Sequence, residues 1–227
     1  GMQGIKPLPS VVISTVASLV PALLLALVFA LPDIRGLPPV AYVWFLALGA
    51  VNFLGGRTQN FLAINLVGAS RSSAFVSTSA VFAAIFAVTI TGERPHPLVL
   101  LGTAVVVAGL VLSTGNSAGQ GWSIDRRSLL GYSLGLGAGV AYGGTNVLAK
   151  WLSLEYGSPL VLAAFSLLFG LVILWPLGGR GAIDGLRTAR ADMGFLVHIT
   201  LSGLVSAAAV IALYFALQRS QVVIVSP

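Results

Sequence analysis

The sequence predicts an all-α fold, a polytopic bundle of transmembrane helices, and three observations carry that prediction. Apolar residues make up 57% of the 227-residue chain, and the mean hydropathy is +0.99. Charged residues make up only 8%, where a soluble domain carries about 25%. The apolar residues fall in runs of roughly 20, the length a helix needs to cross the hydrocarbon core. A soluble core of this size could not absorb so much apolar surface and still show water a polar exterior.

The runs predict spans over residues 9–31, 42–66, 69–91, 97–114, 129–152, 158–179 and 194–217. Between them lie LPDIRGLPP, GERPHP, NSAGQGWSIDRR, EYGSP and GGRGAIDGLRTARAD, whose Pro, Gly and charge mark connectors. The chain opens on the polar stretch GMQGIKPLPS and closes on SQVVIVSP, which has the pattern of the first turns of another span. The expectation is therefore an internal piece of a longer protein with no visible secretory signal.

The charge excludes several function classes. The net charge is +6, but the basic residues stand mostly singly between apolar runs, with no basic patch interleaved with aromatics. Lipid headgroups and topology account for that pattern, and nucleic acid is not an expected partner. Cysteine is absent, and His96 and His198 share no metal-ligand spacing. The six acids lie outside the middle of every apolar run. The usual materials of a hydrolase or metalloenzyme are missing, so neither an enzyme nor a metal or other cofactor is expected. An intramembrane enzyme would need a nucleophile and an activating base at depth, and only serines and threonines stand there.

A weak internal repeat runs through the chain. LPSVVISTVASLVPALLLAL, from Leu8, is echoed by SPLVLAAFSLLFGLVILWPL, from Ser158. FLAINLVGASRSSA (61–74) falls against YFALQRSQVVIVSP (214–227), with Ala63 matching Ala216 and Ser73 matching Ser226. Units of five helices, an odd number, must insert in opposite directions. Two inverted five-helix repeats are a recurring plan of secondary transporters, with the site near mid-bilayer.

Span 129–152 carries Gly131, Gly135, Gly139 and Gly143. Spaced by four, they form a ridge without side chains that lets another helix approach closely. Span 69–91 offers small residues at alternating spacings of three and four, Ser73 and Ser77 among them. Two readings stand: tight packing in a bundle, or smooth faces that let two halves rock past each other.

Span 42–66 holds Arg57 three residues past its centre, about 5 Å along the axis. At about 100° per residue, Gln59, Asn52, Ala63, Gly56, Gly49, Asn60 and Arg57 share an arc of roughly 160°. An arginine at this depth costs about 3 kcal/mol on insertion scales, so it must face protein or a wet cavity. Here too two readings stand. Arg57 is paired structurally, or it binds a substrate, most simply one with an anionic group, since a guanidinium fork suits carboxylate or phosphate. Asn52 and Asn60 lie beside it, and Tyr142, Asn146 and Tyr214 are weaker candidates to line the same cavity.

The stretch GRTQNFLAINLVGASRSSAFVSTSAVFAAIFAVTITGERPHPLVLLGTAVVVAGLVL resembles the first-repeat signature of EamA-type permeases of the drug/metabolite transporter superfamily. It pairs an Ala- and Ser-rich helix with a Gly-Glu turn, Gly92-Glu93-Arg94, and a helix with Gly102 and Gly109 near its ends. YFALQRSQVVIVSP is similar to the matching second-repeat segment. The resemblance covers essentially the whole chain and implies ten helices in two inverted repeats. Residues 1–116 would hold helices two to five. Residues 117–227 would hold helices six to eight and the start of nine.

Two features depart from the family pattern. Ala80 stands in STSAVF where family members often have Pro, so a proline cannot supply the bend expected there. The second-repeat position matching Arg57 is Val210, which makes the implied site asymmetric. Family topology would place Arg35, Arg94, Lys150 and Arg219 on the cytoplasmic side. Lys6, Arg71, Arg126, Arg127, Arg180, Arg187 and Arg190 would lie outside, a count that runs against the positive-inside rule.

The expected function is secondary transport of a small metabolite or drug-like molecule by alternating access, in export or exchange. The expected setting is a bacterial or archaeal cell membrane. A small-molecule substrate and the lipid bilayer are the expected partners, and a coupling ion or a second copy of the chain is compatible with the sequence. No phosphate-binding loop suggests ATP as the driver. The rival reading is an integral membrane assembly or sensor subunit without transport, in which Arg57 pairs permanently with another protein group.

Overall fold

The computed structural model describes residues 7–93, 97, 101, 102, 104, 105, 108, 109, 112, 125–189 and 193–225. No strand occurs among the described residues, and the chain is a polytopic helical bundle. Its helices are α1 (Pro7–Phe29), α2 (Leu31–Arg35), α3 (Pro39–Gly49), a π-helical segment (Ala50–Thr58), α4 (Gln59–Val67), α5 (Ala69–Val76), α6 (Ser79–Ile90), α7 (Arg126–Tyr156), α8 (Pro159–Ala189), α9 (Met193–Arg219) and α10 (Val222–Val225). The expected span over 97–114 falls largely outside the described residues.

Among the described residues, five segments are long and apolar enough to cross a membrane: Val11–Phe29, Pro39–Val67, Ala69–Ile90, Pro159–Gly185 and Val197–Arg219. α7 has the length but falls outside this set. Its glycines, with Ser133, Thr145, Asn146 and Lys150, dilute its hydropathy.

Three local features differ from regular helices in the expected places. Residues 39–67 form one 29-residue span, yet its middle is π-helical rather than α-helical. The Ser-rich span breaks at Ser77 and Thr78 without any proline. Ser77 Oγ donates to the Ser73 carbonyl at 2.8 Å and Thr78 Oγ1 to the Phe75 carbonyl at 2.5 Å. The backbone there tightens into i→i+3 bonds, Thr78 N to Phe75 O and Ala80 N to Ser77 O. Hydroxyls that bond back onto their own helix bend it, so a bend expected of proline arises at a serine–threonine pair. Finally, α8 runs on to Ala189 through much of the stretch expected as a connector. Pro9 of α1 packs on Gly181, and Ala182 is buried, so this extension is anchored by contact.

The chain divides into two compact units, Gly1–Leu54 with Ala149–Arg219, and Gly55–Leu148 with Ser220–Pro227. In the first, α1 packs on α8 and α9, and α3 packs on α8. A Cβ on Gly49 would stand 2.8 Å from the Gly170 backbone nitrogen, so α3 and α8 meet main chain to main chain, as small-residue contacts allow. Phe45 stacks on Phe165 with centroids 5.6 Å apart and meets Tyr156 edge-on. Pro21, inside α1, has no N–H for the Ala17 carbonyl four residues back, and Gly203 of α9 packs against that carbonyl. A cleft of about 600 Å³ opens between α1 and α9, lined by Ile13, Val20, Leu24, Val197, Leu201 and Leu204 among other apolar residues.

The C-terminal end of α7 is tied to α9 within the same unit. Gln218 donates to the carbonyls of Ser153 at 3.0 Å and Gly157 at 2.6 Å. Gly157 has φ +82°, which lets the chain turn from α7 into α8.

In the second unit, the glycine ridge of α7 lies against α4, α5 and α6. A Cβ on Gly135 would stand 2.9 Å from Phe75 Cβ, one on Gly139 2.6 Å from Thr78 Oγ1, and one on Gly143 2.8 Å from the Ala83 nitrogen. Gly131 meets Val67 and Leu66. The exposed Ser73 bonds the Ala69 carbonyl, and the residues that meet the ridge are Phe75, Thr78, Phe82 and Ala83. Glu93 accepts the backbone N–H of Val222 at 3.1 Å, capping the start of α10.

Candidate functional site

The polar cluster of the second unit is built on the π segment, α4, α5 and α7. A π-helix bonds i→i+5, and such segments occur frequently at functional sites. It advances each residue by less than the α-helical 100°, so the single polar arc expected over 49–63 does not hold through residues 50–58. Asn52 belongs to the first unit, and Arg57 and Asn60 belong to the second.

Arg57 is half-buried and interacts electrostatically with the Tyr142 phenol. Tyr142 also hydrogen-bonds the Asn60 side chain. Behind Asn60, Ser72 Oγ donates to Asn60 Oδ1 at 3.1 Å. These four side chains come from three separate stretches of sequence and form one connected group. Asn146, half-buried, lies one helical turn beyond Tyr142 on α7.

Close backbone approach makes the arrangement possible. Gly56 faces the Tyr142 ring, where a Cβ would stand 2.6 Å from Cε1, and Gly55 faces Ala141. The Gln59 carboxamide packs on Gly137. Without side chains at 56 and 137, the two helices come close enough for the phenol to sit beside Arg57 and Asn60. Gly68, with φ +86°, then turns the chain from α4 into α5 and brings Ser72 back toward Asn60.

Tyr214 stands in the first unit and is 1% exposed. It hydrogen-bonds Ser166, whose own hydroxyl donates to the Ala163 carbonyl at 3.1 Å. That geometry is a bond between α8 and α9. The apolar cleft of the first unit is lined by none of the candidate binding residues.

Ser72 and Gly56 were not singled out as binding residues from the sequence. The available signal was the Gly55-Gly56 pair flanking a deep arginine, and a serine run one helix later that had to face something polar. Among the described residues, no group of three or more His, Cys, Asp or Glu could hold a metal ion.

The described chain is thus a polytopic integral membrane protein in which an arginine and an asparagine of the span Pro39–Val67 cluster with a tyrosine of α7. The model of the EamA-like transporter family matches residues 2–115, half the chain, and the protein belongs to that family. A comparison with curated proteins finds no match. Membership makes it a membrane transporter of the drug/metabolite transporter superfamily, with a small-molecule substrate.

Proposed function

We propose that the protein is a secondary transporter that moves a small metabolite or drug-like molecule by alternating access, in export or exchange. It acts without enzymatic chemistry, in a bacterial or archaeal cell membrane. Residues 1–116 belong to one five-helix repeat and 117–227 to its inverted partner. The family match over residues 2–115 supports the first boundary.

The observation that carries the reading is Arg57 inside the span Pro39–Val67, beside Tyr142 and Asn60. A cation at that depth is costly and marks substrate or ion pathways. Arg57 contacts an anionic group of the substrate, with Asn60 and Tyr142 beside it and Asn146 as a further candidate. The glycine ridge of α7 serves helix packing, whereas Ser73 and Ser77 bond back onto their own helix. An ion gradient or exchanged substrate drives the cycle, and a second copy of the chain is a candidate partner.

Flux in proteoliposomes tests this. Wild type and Arg57→Gln are compared across anionic, zwitterionic and cationic small molecules. Selective loss of anionic or zwitterionic substrates, with the protein folded, supports the reading. Equal loss of every flux makes Arg57 structural, and no flux in wild type favours a non-transporting subunit.

A further inference from the structure

Glu93 is set in place by α6 itself. Gly92, with φ +68°, reverses the chain after Thr91, and the Glu93 N–H closes on the Ala87 carbonyl at 3.1 Å. A six-to-one bond across a left-handed glycine is a common helix C-cap, so the carboxylate rides on the end of α6. It reaches a segment 129 positions away, with its two oxygens 3.1 and 3.4 Å from the Val222 nitrogen, whose N–H it accepts. Val222 is fully buried, and α10 packs on α6. A backbone N–H held by a carboxylate is bonded more strongly than one held by a neutral oxygen.

The chain just before Val222 is anchored elsewhere. Gln218 donates to the Ser153 and Gly157 carbonyls within the first unit. Only Arg219, Ser220 and Gln221 separate that anchor from Val222, and the chain passes from the first unit to the second between Arg219 and Ser220. It also crosses at Leu54–Gly55 and at Leu148–Ala149, but there it runs inside the π segment and inside α7. Ser220 and Gln221 lie in no helix. Bending an unbroken helix disrupts its hydrogen bonds, whereas a few residues at an element's end absorb the same change by backbone rotation.

We propose that Ser220–Gln221 is a hinge of the transport cycle, and that Glu93 is the positioning residue that fixes its far side. Glu93 keeps the start of α10 with α6 while α9 moves with the first unit. This inference rests on the alternating-access reading.

The test uses the reconstituted protein, which has no cysteine of its own to compete with introduced labels. One spin-label pair, Ser73→Cys with Ile224→Cys, lies within the second unit, and the other, Ser73→Cys with Val205→Cys, has one label in each unit. All three positions are exposed. The expected result is one narrow distance for the first pair and more than one for the second, with Glu93→Ala broadening the first. Hydrogen exchange over 220–225 is expected to quicken about tenfold or more in Glu93→Ala, the scale of a lost bond to a charged group. Glu93→Gln, whose carboxamide still accepts, falls between. Exchange over 153–160 stays unchanged, which separates a lost anchor from a general loss of stability. The wild-type pairs and Glu93→Gln keep the test intact if Glu93→Ala does not fold.

Equal spread in both pairs overturns the anchor, and one narrow distance in both overturns the hinge. Exchange over 220–225 that neither variant moves overturns the role of Glu93. None of these readings needs a transported substrate, so a moving hinge beside a failed flux assay counts against the transport reading alone.

Discussion

Gly56 lies against the ring of Tyr142: a Cβ at position 56 would stand 2.6 Å from Cε1 and 2.8 Å from Cδ1. The residue that follows is Arg57, so one missing side chain places a phenol beside a cation. Gly56→Ala must push the ring off the π segment. Overpacking of this kind costs about 1–3 kcal/mol of folding stability, and displacing the phenol from Arg57 is expected to lower substrate affinity as well. Equilibrium binding on folded, reconstituted protein measures it, and unchanged affinity would show that Tyr142 does not bear on the site.

Neighbouring glycines of α7 separate packing from propensity. A Cβ at Gly143 would meet the Ala83 backbone nitrogen at 2.8 Å, whereas one at Gly144 finds only Phe86 Cε2 at 3.8 Å. Backbone gives way less readily than a side chain, so Gly143→Ala is expected to destabilise by about 1–3 kcal/mol. Gly144→Ala is expected to be neutral or to stabilise by up to about 1 kcal/mol through helix propensity. Thermal unfolding in detergent distinguishes them.

The spans were readable because length and hydropathy are local properties of the chain, and Arg57 stood out because charge at that depth is rare. The π segment was not readable. Its i→i+5 bonding goes with tertiary contacts at either end, Phe53 against Gly170 in one unit and Gly56 against Tyr142 in the other. The break at Ser77 and Thr78 was hidden for a related reason: it depends on which carbonyl each hydroxyl chooses. The helical run through Gly179 and Gly181 reads as a connector until Pro9 is seen packed on Gly181. Ser72 escaped notice because its partner, Asn60, lies twelve residues away, beyond the turn at Gly68.

Gln218 closes the end of α7 through two donated bonds, to Ser153 and Gly157. Gln218→Leu removes both and is expected to cost about 1–3 kcal/mol. Hydrogen exchange should quicken over 153–160 and hardly change in α4 or α5. Uniform quickening would instead mean that the variant lowers global stability.

Tyr214 bonds Ser166 and is 1% exposed. Tyr214→Phe keeps the ring and leaves the Ser166 hydroxyl bonded to Ala163, so the expected loss is about 0.5–1.5 kcal/mol of stability with substrate affinity unchanged. A selective loss of affinity would move Tyr214 into the binding site.

The absence of cysteine permits the most direct test of the central claim, that Arg57 and Tyr142 line a path opened to each side of the membrane in turn. Asn146→Cys places one thiol a helical turn beyond Tyr142. Sealed vesicles of both orientations are then treated with a membrane-impermeant thiol reagent. The account predicts labelling from either side, with protection by transported anionic substrates in wild-type background and none in Arg57→Gln. Labelling from one side only, or labelling indifferent to substrate, would contradict it.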